Sequence, residues 1–262
     1  MTGDIFEFKK EVSSFKDKNG YEIEGLWLPR VTSILEVVAK PGLLHYYAQQ
    51  KNFYAAQESM RNAAINGSMI HDACEAILQG DHPDIDKRIQ HSVQNFVKWK
   101  EQHKVKVLGV EQKIIDCDEN FYIGTMDILA EIGGKIGVLD IKTGSGIWNE
   151  YGLQTAAYMA GYNKLAGKNM KAQTRWILRL DQYQICQTCG AKRREKGEEV
   201  RVTGGKRICS HNFAETEADF EFKELKDFDH DFKGFLHAKG LWEWQNRPAL
   251  QKINNYPCNF KV

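Results

Sequence analysis

The chain has 262 residues, 42% of them hydrophobic and 27% charged, enough apolar surface for one large domain or one domain with a substantial insertion. Its 36 basic and 35 acidic residues nearly cancel, so a nucleic-acid partner would be met by local charge clusters and not by a global basic field. The opening MTGDIFEFKK is too polar for a secretory signal, and no uncharged run approaches the roughly 18 apolar residues of a membrane span. The expectation is a soluble cytoplasmic chain with no membrane partner.

Alternation on both sides of Asn19-Gly20 predicts an N-terminal hairpin over 1–28, ahead of a domain over 29–262. After Pro29, residues 31–40 read as a short helix with Thr32 or Ser33 near its cap, broken by Pro41-Gly42. Helical spacing continues over about 43–59 and 61–78, the latter closed by Gly80 and Pro83. It returns over 85–103, where Ile89, Val93, Phe96 and Val97 share a face. The pattern then turns to strand over 105–116, 122–132 and, past the Gly133-Gly134 turn, 135–141: a three-stranded meander. A helix over 150–165 and a strand over 171–180 follow. A polar, cysteine-bearing insertion at about 184–214 contains a hairpin around Gly204-Gly205, before a strand over 219–225 and a last helix over 230–245. The class is α/β (α+β), with a core order of helix, three-stranded meander, helix, strand.

Within VLDIKTGSG at 138–146, alternation sends Leu139 and Ile141 to the core and Asp140 and Lys142 to the other side. Asp127 lies on the preceding strand, and the glycine turn brings it to the same end of the sheet. Two converging carboxylates repel unless a cation lies between them, and oxygen ligands suit Mg²⁺ or Mn²⁺. The lysine can orient or deprotonate a water, or steady negative charge on phosphate. A lone D-x-K on a strand is usually a solvated face, so the weight rests on the set.

Gly124-Thr125-Met126-Asp127, Asp140-Ile141-Lys142-Thr143-Gly144, Gln154 to Tyr158, and Gly67 leading to His71 together resemble the PD-(D/E)xK nuclease superfamily. The closer likeness is to its RecB-like branch, which includes phage exonucleases, the mitochondrial genome maintenance exonuclease and the CRISPR adaptation nucleases. The resemblance covers about 29–180 and implies a restriction-endonuclease-like core. It implies that Asp127, Asp140, the main-chain carbonyl of Ile141 and His71 ligate a catalytic Mg²⁺ or Mn²⁺. Lys142 becomes the catalytic lysine, and Gln154 and Tyr158 contact DNA or support the site. Glu111 stands where some relatives place another acid. No proline precedes the first aspartate, a departure from the named motif that this branch shares.

The function implied is a metal-dependent deoxyribonuclease, an exonuclease favouring single-stranded DNA or free ends in phage or mobile-element recombination, repair or replication. Its setting would be a bacterial or phage-infected cell, with any helicase or recombination partner on a separate chain. The helices between residues 31 and 78 would roof the site, with Tyr46, Tyr47, Phe53 and Tyr54 available to stack on bases. The alternatives are a structure-specific or restriction-type endonuclease on the same core, or an inactive DNA-binding or recruiting protein.

Cys186-Gln-Thr-Cys189-Gly190 forms a knuckle, and Cys209 and His211 follow. Three thiolates and one imidazole make a closed tetrahedral Zn²⁺ set, structural in kind. Some RecB-like nucleases hold an iron–sulfur cluster instead, but their cysteines flank the nuclease core on both sides. Lys192, Arg193, Arg194, Lys196, Arg201, Lys206 and Arg207 make the insertion basic, while Glu195, Glu198 and Glu199 dilute it. Phosphate contact and a merely solvated hairpin are both open readings of this segment.

Overall fold

The computed structural model describes residues 2–50, 52–196 and 199–257. Its first element departs from the expected hairpin. Thr2–Asn19 is a helix (α1), and the hairpin comes one step later, between Gly20–Ile23 (β1) and Leu26–Pro29 (β2). Its turn is Glu24-Gly25, with φ of 50° and 80°, the left-handed pair that a tight two-residue turn demands. Asn19 instead ends α1, donating from its side chain to the Phe15 carbonyl. Trp27 is buried between Phe15 and Tyr256, so the hairpin packs against the C-terminal segment.

Val31–Ile34 is one turn of helix (α2), continued by a 3-10 turn at Leu35–Val37. Pro41 starts the next helix, Pro41–Gln49 (α3), where its missing N–H costs nothing. The boundary expected near residue 60 does not exist. Phe53–Gln79 (α4) runs unbroken for 27 residues, capped by Asn52, which accepts from the Ala55 amide, and closed by Gly80 at φ 94°. Residues 59–61 contain neither glycine nor proline, so nothing there interrupts the ladder. Gln90–Gln102 (α5) completes the helical half.

Lys106–Asp116 (β3), Tyr122–Ile132 (β4) and Lys135–Lys142 (β5) form the expected antiparallel meander. Glu150–Leu165 (α6) crosses to Thr174–Cys186 (β6), which lies parallel to β5. In the insertion, Lys192–Lys196 (β7) and Glu199–Thr203 (β8) pair with each other, and Phe213–Leu225 (β9) then runs antiparallel along β6. The hairpin's strands pair as far as Lys196↔Glu199, and Gly204-Gly205, expected at its tip, lies beyond β8 on the return path. β9 occupies one edge of β6 throughout, so β7, paired at Gln184 and Ile185, shares the other edge with β5. Phe228–Leu250 (α7) closes the fold.

The described residues thus form a seven-stranded mixed sheet between two helical layers. Met126, Val138 and Tyr158 pack with Trp27, Phe235 and Trp242 on one side. Leu139, Ile141 and Leu178 pack with Cys74, Phe96 and Trp99 from α4 and α5 on the other. Among the described residues no helix is long and apolar enough to cross a membrane.

Candidate active site and metal cluster

Backbone pairing between β4 and β5 ends at Ile128↔Leu139. The next residues are Asp127 and Asp140, and a side chain replaces the missing backbone partner: Asp127 Oδ2 accepts the Ile141 amide at 2.9 Å. On β3, the flanking pairs Val110↔Ile128 and Gln112↔Met126 place Glu111 across from Asp127, with φ at 49°. Three carboxylates thus cross one end of the sheet in a row.

Asp140 is fully buried. Lys142 Nζ lies 2.6 Å from its Oδ2, while Oδ1 has no hydrogen-bond partner among the described residues, an orphan that normally costs ~1–3 kcal/mol or more. Lys142 also donates to Gln154 Oε1 at 3.1 Å, and Gln154 Nε2 donates to the Tyr158 hydroxyl at 3.0 Å. These two α6 residues sit one turn apart, so the helix presents them as a ladder toward the lysine. Tyr151 lies one turn earlier, its ring centroid 4.7 Å from Lys142 Nζ. Sequence reasoning missed it, although its spacing from Gln154 puts it on the same helix face. From the other layer, His71 Nδ1 stands 3.5 Å from Asp127 Oδ2, and its imidazole also meets the Ile141 backbone. Gly67 lets α4 approach, since a Cβ there would lie 3.0 Å from Thr143 Oγ1.

The electrostatics follow from this crowding. Burial and the neighbouring Asp140 charge push the Asp127 carboxyl well above its ordinary range. Burial, with Glu75 and Asp72 behind it, also raises Glu111. Burial opposes the Lys142 ammonium, but Asp140 and Asp127 outweigh it and hold the lysine above its usual value. Burial lowers His71, leaving it neutral and able to act as a ligand. His71, Asp127, Asp140, Ile141, Lys142, Gln154 and Tyr158 are therefore brought together.

The second cluster is tighter. Ligand atoms of Cys186, Cys189, Cys209 and His211 all lie within 4.8 Å of one another. The Cys186–Cys209 sulfurs are 3.8 Å apart, and Cys189 Sγ is 3.4 Å from His211 Nδ1. A tetrahedron with Zn–S bonds of ~2.3 Å and Zn–N bonds of ~2.0 Å has edges of about 3.8 and 3.5 Å, so the set can hold a metal ion such as zinc. Burial would raise the Cys186 thiol, but His211 and the amides of Thr188, Cys189 and Asn212 bring it down to about 5. The knuckle needs its glycines: Gly190 and Gly205 both have φ 72°, and a Cβ on Gly205 would sit 2.7 Å from Cys189 Sγ.

A cleft of about 2080 Å³ runs between α3–α4 and the β7–β8 hairpin, floored by β9, α7 and the segment leading into α6. Tyr151 and Gln154 line it, so the Lys142 ladder opens onto this space. No protein-family model matches the chain, and no curated protein matches it.

Proposed function

We propose that the protein is a Mg²⁺- or Mn²⁺-dependent deoxyribonuclease of the RecB-like PD-(D/E)xK kind, an exonuclease acting on single-stranded DNA or free ends. The observation that carries the reading is the buried Asp127–Asp140 pair at a sheet end with Lys142 beside it. A fully buried carboxylate with an orphaned oxygen, next to a second whose ionisation is suppressed, is the environment a divalent cation relieves.

Asp127, Asp140, the Ile141 carbonyl and His71 would hold the ion. When bound, it supplies Lewis acidity toward the phosphodiester. The remaining roles belong to the chain. Lys142, kept protonated by its carboxylate neighbours, is suited to stabilise charge developing on phosphate and not to act as the base. Gln154 and Tyr158 fix the ammonium in place, and Tyr151 covers it. In the reaction, a water oxygen forms the new bond to phosphorus while the bond to the leaving ribose oxygen breaks. That oxygen takes up one proton, and the attacking water releases one. The Cys₃His set would serve as a structural Zn²⁺ site in the insertion.

The test is cleavage of labelled linear and circular DNA with Mg²⁺ or Mn²⁺, with chelator, and with Lys142→Ala. Linear single strands should be degraded, closed circles should survive, and chelation should stop the reaction. Near-wild-type turnover by Lys142→Ala would remove the assignment.

A further inference from the structure

The insertion can be placed relative to the cleft. β7 follows β5 on the same edge of β6, just past the register pair Lys142↔Arg179, so the hairpin stands beside the point where the chain leaves Lys142. Asp181 anchors it, receiving Arg194 through both Nε and Nη2, at 2.9 and 2.7 Å, as well as Arg179. Lys192 lies 3.8 Å from the Tyr183 ring centroid. Opposite, α4 contacts β7, and the Arg201 guanidinium of β8 covers the Tyr46 ring of α3 at 5.2 Å. Two elements distant in sequence thus meet over the cleft.

Among the described residues the lining carries seven lysines and arginines against four acids, Glu150, Glu224, Asp227 and Asp231. Lys135 already engages Glu224 and Arg175 engages Asp231, while Arg194 is held by Asp181, which leaves six cations against Glu150 and Asp227, a positive excess. That charge, in a space bridged overhead and lined by Tyr151 and Gln154, the residues that touch Lys142, suits one flexible polyanion. A duplex, with a persistence length of ~150 bp, could not bend through it.

Resting on the nucleic-acid reading of the site, we infer that the metal-stapled hairpin is the closing wall of a single-strand passage, joined to the roof helices through Arg201 and Tyr46. The cysteine cluster would then be required for retaining a strand, because it fixes both ends of the hairpin's path: Cys186 and Cys189 before β7, Cys209 and His211 after β8. End dependence would come from the insertion as much as from the helices.

The test uses full-length Asp140→Asn protein and an oligothymidylate biotinylated at both ends, long enough to protrude from both sides of the cleft. Streptavidin added after loading should trap the strand, abolishing its dissociation. Streptavidin added before loading should block binding. A variant with residues 193–202 replaced by a short turn, and the milder Tyr46→Ala/Arg201→Ala pair, should release capped strands as fast as uncapped ones. Thermal melting of each variant shows that the rest of the fold persists. Caps without effect on the intact hairpin overturn the inference, as do caps that trap equally well without it. If the intact protein traps strands but wild-type protein cuts none with either metal, the nuclease reading fails while the passage stands.

Discussion

Gly124 is a sharp probe of how the sheet and α6 hold Lys142. Its backbone lies outside the left-handed region, so alanine is conformationally permitted, yet the new Cβ would sit 2.4 Å from Cε1 of Tyr158 and 3.3 Å from Val31 Cγ2. The tyrosine is buried and its hydroxyl is held by Gln154, so the ring cannot swing away without breaking the ladder to Lys142. Overpacking of this kind costs ~1–3 kcal/mol, partly offset by ~0.4–1 kcal/mol from the reduced freedom of the unfolded chain. A net loss of about 1–2 kcal/mol follows, a fall of roughly 2–4 °C in Tm per kcal/mol for a chain of this size. Thermal unfolding in chelator would be measured for Gly124→Ala, Tyr158→Leu and the double variant. Because leucine removes the offending ring edge, the alanine should cost little in that background, giving a coupling of at least ~0.5 kcal/mol. Gly124→Ala melting with wild type, or losing as much in the Tyr158→Leu background as beside the native tyrosine, would refute the packing argument.

Asp140→Asn and Lys142→Ala should each abolish cleavage, but their stabilities should differ. Lys142→Ala leaves a fully buried carboxylate without its cation, so in chelator it should melt below Asp140→Asn and recover more on adding Mg²⁺; equal melting in all conditions would contradict the pairing. Cys186→Ser or Cys209→Ser should lose one tightly held zinc per chain and loosen the insertion before the core. Elemental analysis finding iron in the native protein would replace zinc with a cluster. For Asp116, burial alone would raise the pKa, but Lys164, Asn120 and the amides of Asn120 and Glu119 hold it down at about 2. The native state therefore binds this proton less readily than the unfolded chain. The advantage of wild type over Asp116→Asn should be full above about pH 4, roughly 2 kcal/mol, and fade as pH falls through about 2. A gap independent of pH would show that the effect is not the carboxylate's charge.

What the sequence discloses depends on how local the signal is. β4 and α6 are bounded by Gly133-Gly134 and by strong apolar patterning, and both are legible to the residue. The pairing of Asp127 with Asp140 follows from that turn alone. The N-terminal segment misleads because Asn-Gly is both a hairpin signal and a helix stop, and only the buried Trp27, packed on Phe15 and Tyr256, favours the second. The insertion's Gly204-Gly205 has the composition of a hairpin tip, whereas Gly205 is there to make room for Cys189 Sγ. No local pattern could show that Glu111 falls opposite Asp127, that Tyr151 covers Lys142, or that Arg201 reaches Tyr46. Those are matters of register and of layers meeting, fixed by the whole sheet.

The placement of the cysteine cluster has a consequence for the kinetics of folding. The innermost partners of the longest antiparallel pairing, Cys186 and Phe213, are 27 residues apart in the chain, and the outermost, Arg175 and Leu225, are 50 apart. Bringing the inner pair together costs about 3 kcal/mol in loop closure before any strand contact rewards it. Ligands at 186, 189, 209 and 211 sit at that closure point. A metal captured by the unfolded chain would therefore meet the entropic cost early and leave β6 and β9 to zip outward, in register, from the cluster toward the carboxylates. Refolding of the central sheet should then be faster with the metal than without it, whatever its effect on the finished structure. Because β6 is held by β5, a one-residue slip would turn the β9 residues Phe220 and Phe222 away from Trp99 and His103, and an anchored starting point would disfavour it.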